Sequence, residues 1–400
     1  MRAATRLPAR MPHVVPTKRL APFGASIFGE MTRLSIEHGA INLGQGFPDF
    51  DGPPELGDAV LQAIRDGHNQ YARPMGAVPL VEAVAAQVER DYGLKRDPLR
   101  EVCVTCGATE AIAAALLGIL EPGDRVLTLE PFYDSYPAIT ALAGAGFDSV
   151  PLLFPDFRID FERLRARIEK RTRVLLINTP HNPSGRVFDH DELEGIAELC
   201  IEHDLIAICD EVYEHLFYDE HVHRPLALMD GMQDRTLTIS STGKTFSMTG
   251  WKIGWAHGPA ALVNALFAAH QFLTFSTAAP LQHAMALALR DFGPPWLEGL
   301  RRDYDERRHC LLTGLKRAGF EVAVPEGSYF VLARHAGLFE DGDDDVQVAR
   351  RLVIERGVTA IPPSSFYREG VDEGRRLLRF AFCKRRQTIA AAMERLVGVH

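Results

Sequence analysis

The stretch "TLTISSTGKTFSMTGWKIGW", Thr236 to Trp255, decides how this chain is read. Gly243-Lys244-Thr245 matches the ending of a phosphate-binding P-loop, and Lys252 follows eight positions after Lys244. Lys244 is therefore either a cation resting on a nucleotide phosphate or a nucleophile that holds a cofactor covalently. A P-loop needs glycine five residues before Gly243, so that the backbone can wrap the phosphates. That position is Thr238, and no partner aspartate stands in a matching context. The nucleotide reading fails.

The stretch sits in a repeating pattern. "EVCVTC", "RVLTLE", "RVLLIN", "LIAIC" and "TLTIS" are short apolar runs rich in Val, Ile and Leu, the signature of strands buried on both faces. Helical stretches such as "ATEAIAAALLGIL" and "DELEGIAELCIEHD" lie between them. The alternation predicts an α/β fold with a mostly parallel central sheet covered by helices on both faces. After about residue 290 the texture changes to a long charged helical stretch and then "EGSYFVLAR" and "LLRFAFCK". The expected organisation is an N-terminal arm and part of a small domain over residues 1–50, a large domain over 51–290, and a small α+β domain over 291–400.

Composition narrows the class. Of 400 residues, 46% are hydrophobic and 24% charged, ordinary for a globular protein with a substantial core. The net charge of −9 argues against nucleic acid as a bulk partner. No apolar run is long enough to span a bilayer. Arg2, Arg6, Arg10, Lys18 and Arg19 precede the first acidic residue, Glu30, as in a transit peptide. Pro8, Pro12 and Pro16 interrupt any amphipathic helix there, which favours a flexible arm. Cys103 and Cys106 form C-x-x-C inside a predicted strand with no second pair, so structural cysteines in a reducing cytoplasm are expected rather than zinc. The acidic run Glu340 to Asp345 lacks the Gly and Glu of a calcium loop, since Val346 and Leu352 stand there; a solvated loop is expected.

In open α/β sheets, ligands bind beyond the carboxyl ends of the strands. "EVCVTC" is followed by Gly107, Ala108 and Thr109, which open a helix and offer an anion its N–H groups. "RVLTLE" leads to Pro131, Phe132 and Tyr133; "RVLLIN" to a turn with Asn182; "LIAIC" to Asp210 and Tyr213; "TLTIS" to Ser241 and Lys244. An anion seat, a flat ring, an amide, a carboxylate with a phenol, and a hydroxyl with a lysine thus share one sheet edge. Pyridoxal phosphate needs that set. Its phosphate takes N–H groups, hydroxyls and a cation, its pyridine nitrogen an acid, and its aldehyde a lysine.

"SSTGKTFSMTGWKIGW" resembles the cofactor-lysine segment of fold-type I, class I/II aminotransferases. "INLGQGFPDF", "NQYARPMGAVPL", "EPFYDSY", "INTPHNPSGRVF", "ICDEVYEHL" and "LLRFAFCK" are similar to the branch holding kynurenine and methionine aminotransferases, with the bacterial N-succinyldiaminopimelate enzymes nearby. The resemblance runs from about residue 20 to about 395. It implies that Lys244 bonds the cofactor's aldehyde and moves the substrate Cα proton, and that Asp210 pairs with the ring nitrogen. By the same likeness Tyr213 and Asn182 reach the ring oxygen and Tyr133 stacks on the ring. Ala108 and Thr109 backbone groups, Ser241 and Lys252 hold the phosphate; many relatives carry Arg where Lys252 stands. Tyr71 reaches the phosphate of a neighbouring subunit, which implies a homodimer. Arg379 binds the substrate α-carboxylate, with a backbone contact from Gly46.

The implied activity is ping-pong amino transfer from an L-amino acid to a 2-oxo acid. Rival readings are N-succinyldiaminopimelate transamination, β-elimination from cysteine S-conjugates, and a non-catalytic sensor of the same fold. The sensor is disfavoured because only about 40 residues precede "INLGQGFPDF", too few for a DNA-binding domain and linker. No second arginine for a distal carboxylate is identifiable; Arg73, beside Tyr71, is a candidate from a neighbouring subunit. Phe23, Phe132 and Phe275 are expected to line an apolar pocket suited to methionine, glutamine, aromatic or kynurenine-like donors.

Overall fold

A computed structural model describes residues 16–24, 26–335, 339 and 342–398. Arg2, Arg6 and Arg10 of the basic segment lie outside the described residues, as do Glu340 and Asp341 of the acidic run. In chain order the strands are β1 (Ile41–Asn42), β2 (Val102–Cys106), β3 (Arg125–Glu130), β4 (Gly146–Pro151), β5 (Thr172–Asn178), β6 (Ile206–Asp210), β7 (Thr236–Ser241), β8 (Ile253–His257), β9 (Glu321–Val322), β10 (Phe330–Arg334), β11 (Val358–Thr359) and β12 (Leu377–Ala381). Seven of them form the central sheet, in the order β2-β8-β7-β6-β5-β3-β4.

The five expected strands are all present in that sheet. Their interiors are buried, as expected of a layer covered on both sides. Two strands escape the periodicity argument, β4 and β8. β8 runs antiparallel between β2 and β7, with Cys106 opposite Ile253 and Ser241 opposite Gly254. Its reversed direction carries the residue before it, Lys252, to the edge where the parallel strands end. A parallel strand would have put Lys252 at the opposite edge.

Side chains from β2, β3, β5, β6, β7 and β8 pack against the helices Gly107–Ile119 and Ala260–Leu273 on one face. The other face is filled by Leu127, Leu175, Phe188, Ile196 and their neighbours. A further core joins Met31 and Leu43 from the start of the chain to Tyr304, Leu311, Leu352 and Phe380 from its end. Each such fully buried aliphatic or aromatic side chain contributes about 1.5–3 kcal/mol, so the N-terminal segment is held firmly to the C-terminal one. The smaller sheet β12-β10-β9 is antiparallel, and β1 pairs with β11.

Cys103 and Cys106 lie in β2, one buried and one half-buried, and all six cysteines are unpaired. The acidic run departs from expectation. Asp344 caps the helix Asp345–Arg356 in a reciprocal box with Gln347, and Asp345 is buried and accepts from the Ser364 N–H at 2.7 Å. The end of the run, Asp344 and Asp345, is therefore a helix start rather than a solvated loop, because an Asp at the cap satisfies first-turn N–H groups.

Candidate active site

A cavity of about 430 Å³ opens where the central strands end, bounded on its far side by Ser26, Phe28, residues 45–47, Phe330 and Arg379. Of the site residues expected from sequence, Gly46, Ala108, Thr109, Tyr133, Asn182, Asp210, Tyr213, Ser241, Lys244, Lys252 and Arg379 all line it. Tyr71 does not. Its side chain is 84% exposed and meets Phe275 edge-on at 5.2 Å.

One end of the cavity carries groups whose chemistry suits an anion. The helix Gly107–Ile119 starts there without a side-chain cap, leaving first-turn N–H groups for a ligand. Gly107 has φ +75°, and a Cβ on it would come within 3.4 Å of Lys252 Nζ. A Cβ on Gly254 would lie 2.7 Å from the Ala108 nitrogen, so only glycine lets β8 run this close to the helix start. Lys252 itself takes φ +55° at the turn into β8. Ser241 ends β7 beside these groups, and the Lys244 helix, Thr242–Thr245, follows directly.

At the centre stands Asp210, the last residue of β6. Oδ2 accepts the Tyr136 hydroxyl at 2.6 Å. Oδ1 is buried with no hydrogen-bond partner among the described residues. Leaving such an oxygen unpaired costs about 1–3 kcal/mol, a cost removed by a ligand that brings an N–H to it. Burial pushes the Asp210 pKa up, opposed by the Tyr136 bond, the Val212 N–H and the Lys244 charge. Lys244 Nζ lies 5.7 Å from the ring centres of both Tyr213 and Tyr329. Burial lowers its pKa, which favours a neutral, nucleophilic amine; the nearby Arg379 and Lys252 cations act in the same direction.

Arg379, in β12, is buried and stacks on Phe330, with the guanidinium carbon 4.3 Å from the ring centre. Nη1 donates to Asn182 Oδ1 at 3.2 Å and Nη2 to the Gly44 carbonyl at 2.9 Å, while Nε has no partner among the described residues. Burial brings its pKa down to about 10, so it stays cationic at neutral pH. Gly46 lines the cavity, but its carbonyl accepts the Tyr329 hydroxyl at 2.6 Å; Gly44 is the glycine bonded to Arg379. A Cβ on Gly46 would strike Phe330 at 2.6 Å.

Several contributors were not singled out from sequence. Asn178 donates to the Asp210 carbonyl and accepts the Asn182 N–H, tying two strand ends together. Its place as the last residue of "RVLLIN" was the available signal. Tyr136, Tyr329 and Phe330 carried none, because they read as ordinary core residues. The expected apolar lining is corrected: Phe28, Phe47 and Phe330 line the cavity, and Phe23, Phe132 and Phe275 do not. Phe132 is buried against Phe147 instead, at 5.0 Å edge-on. In this chain Arg73 donates to the Leu99 carbonyl and the Met75 sulfur, away from the cavity.

Residues 38–396 match the family Aminotransferase class I and II. The chain belongs to this family. It is 47% identical over 388 residues to the probable N-succinyldiaminopimelate aminotransferase of Mycobacterium tuberculosis, covering 94% of this chain and 97% of that protein. It is 37% identical over 383 residues to the methionine aminotransferase of Escherichia coli, covering 96% and 98%. Among solved structures, that of the M. tuberculosis N-succinyldiaminopimelate aminotransferase superposes with a TM-score of 0.93, covering 96% of this chain and all of the other. The aminotransferase has the fold-type I architecture, and its cofactor is pyridoxal 5′-phosphate. The cavity fits that group: an uncapped helix start with a lysine and a hydroxyl for the phosphate, and a buried carboxylate oxygen without a partner for the ring nitrogen. Among the described residues, no helix is long and apolar enough to cross a membrane.

Proposed function

We propose that this aminotransferase takes the amino group of an L-amino acid with an uncharged side chain, such as methionine, glutamine, an aromatic residue or kynurenine, and passes it to a 2-oxo acid. The observation that carries this reading is the convergence on one cavity of Asp210 and Arg379, both buried, and the half-buried Lys244. When bound, the cofactor supplies an aldehyde that takes up the amino group and a cationic ring that withdraws electrons. Asp210 would hold the proton on the ring nitrogen. Tyr213 and Asn182 would bond the ring oxygen, and Tyr133 would stack on the ring. Ala108, Thr109, Ser241 and Lys252 would hold the phosphate.

Arg379 would orient the substrate α-carboxylate, since a guanidinium has about five N–H donors and two are engaged within the protein. The Lys244 amine, with its pKa lowered, would take the Cα proton and return it to the carbon of the cofactor's aldehyde, two atoms away. Both half-reactions would use the same groups in reverse order, giving ping-pong exchange. Lys244→Ala is expected to lose at least about ten-thousandfold in turnover, together with the absorbance band that depends on the cofactor's bond to this lysine. A variant with full activity sinks the assignment.

Phe28, Phe47 and Phe330 in the lining, with Arg379 as the lining guanidinium, support an uncharged donor side chain. A second reading, N-succinyldiaminopimelate as substrate, is supported by the 47% identity to the mycobacterial protein. Mixing the holoenzyme with single amino acids and following its visible absorbance separates the two. Rapid change with succinyldiaminopimelate alone would overturn the broad donor range, and pyruvate with ammonia formed without an acceptor would reveal β-elimination. Tyr71, with Phe272 at 85% exposure and Phe275 nearby, supports a homodimer in which Tyr71 reaches the partner's phosphate seat. The large unit would span residues 51–290 and the small one the remainder. Six unpaired cysteines suit a reducing cytoplasm.

A further inference from the structure

Tyr136 is buried to 1% exposure, and its hydroxyl donates to Asp210 Oδ2 at 2.6 Å. A carboxylate in a dry site can rotate and can take up a proton. A hydrogen bond from a fixed O–H removes both freedoms, because it sets the carboxylate plane and favours the anion. The Tyr136 ring cannot swing away, since it packs in the core with Ile139, Leu176 and Ile208. Its backbone N–H also donates to the Tyr133 carbonyl at 3.0 Å, and the two rings meet edge-on at 5.7 Å. One short segment at the start of the helix Ser135–Leu142 thus presents Tyr133 to the cavity and Tyr136 to Asp210.

We propose that Tyr136 is a positioning residue: it holds Asp210 charged, with Oδ1 turned toward the cofactor's ring nitrogen, and locks that carboxylate to the segment bearing the stacking ring. The inference rests on the reading of Asp210 as the partner of that nitrogen. Burial and the Asp210 charge push the phenol's own pKa well above its ordinary value, so it donates throughout the working pH range.

The test uses holoenzyme carrying cofactor isotopically labelled at the ring nitrogen, whose magnetic-resonance shift reports protonation directly. In Tyr136→Phe the ring nitrogen is expected to lose its proton at a pH lower by about one unit. Turnover falls roughly ten- to a hundredfold with KM nearly unchanged, and cofactor dissociates about tenfold faster. A Tyr136→Phe enzyme with a lowered unfolding midpoint but the wild-type nitrogen titration and turnover overturns the proposal. Asp210→Asn separates the two readings. If it too keeps the ring proton, the role of Asp210 fails; if it loses the proton while Tyr136→Phe keeps it, only the role of Tyr136 fails. A ring-fluorinated tyrosine at position 136 keeps the shape and strengthens the donor, which covers a Phe variant that does not fold. It is expected to move the nitrogen titration up, and an unmoved titration overturns the proposal.

Discussion

Asp210 and Glu214 leave the same strand end four residues apart, each with 6% of its surface exposed, and meet opposite fates. Glu214 accepts the Tyr92 hydroxyl at 2.6 Å on Oε2 and the Ser240 hydroxyl on Oε1, so both oxygens are engaged by the protein. Asp210 has one oxygen held and one left over. The neighbouring strand makes the same division. Ser240 turns to Glu214 while Ser241 lines the cavity, because successive residues of a strand face opposite ways. A buried acid with every oxygen paired is a fastener. One with an oxygen to spare is a binding group.

The largest test of this contrast is Asp210→Asn, which keeps the shape and removes the charge. Turnover is expected to fall about a thousandfold in steady-state assays, with the unfolding midpoint little changed. Near-wild-type turnover would dissolve the distinction. Glu214→Gln should do the reverse. An amide has one oxygen for two hydroxyl donors, so at least one of the two hydrogen bonds is lost or reversed and stability falls by about 1–3 kcal/mol in urea titrations. Turnover should stay within a few-fold.

The smallest test concerns a third acid, Glu110 in the helix Gly107–Ile119, whose Oε1 accepts His270 Nδ1 at 2.6 Å and Thr274 at 2.8 Å. His270 Nε2 bonds the Pro74 carbonyl at 2.9 Å. Burial alone would lower the His270 pKa, but the Glu110 bond and charge prevail and raise it above 6.5. The stabilisation is therefore complete below about pH 6.5 and lost as pH rises through the raised folded value. Burial likewise opposes the ionised form of Glu110, yet its pKa is lowered by His270 and the Cys106 N–H. That part is present above the ordinary carboxylate range and lost as pH falls. Magnetic-resonance titration should place His270 above its ordinary value, and Glu110→Gln should return it downward. An unshifted His270 would show the pair to be weakly coupled.

Much of this was legible in the chain. Lys244 could be singled out because a missing glycine at Thr238 excludes the P-loop, a test that needs only spacing, and family likeness then points to this lysine. The strand ends could be aligned because buried parallel strands read as continuous apolar runs. Arg379 was identified through resemblance, since a lone arginine in a strand carries no intrinsic mark. What stayed hidden depends on direction and distance between remote segments. β8 has the texture of any buried strand, and nothing local reveals that it runs antiparallel and so delivers Lys252 to the cavity beside Gly107. Phe132 and Phe330 are equally hydrophobic, yet one faces core and the other the cavity.

The acidic segment "DEVYE" shows the division most plainly. Spacing and context mark it as polar chemistry at a strand end, and family likeness points to its first residue. Only the tertiary structure decides that Glu214 finds two hydroxyl donors while Asp210 finds one. Hydrogen-bond satisfaction is set by residues 74 positions away at Tyr136 and 122 away at Tyr92. Periodicity determines which residues share a face; whether a buried oxygen there is left free is determined by what the rest of the fold brings to it.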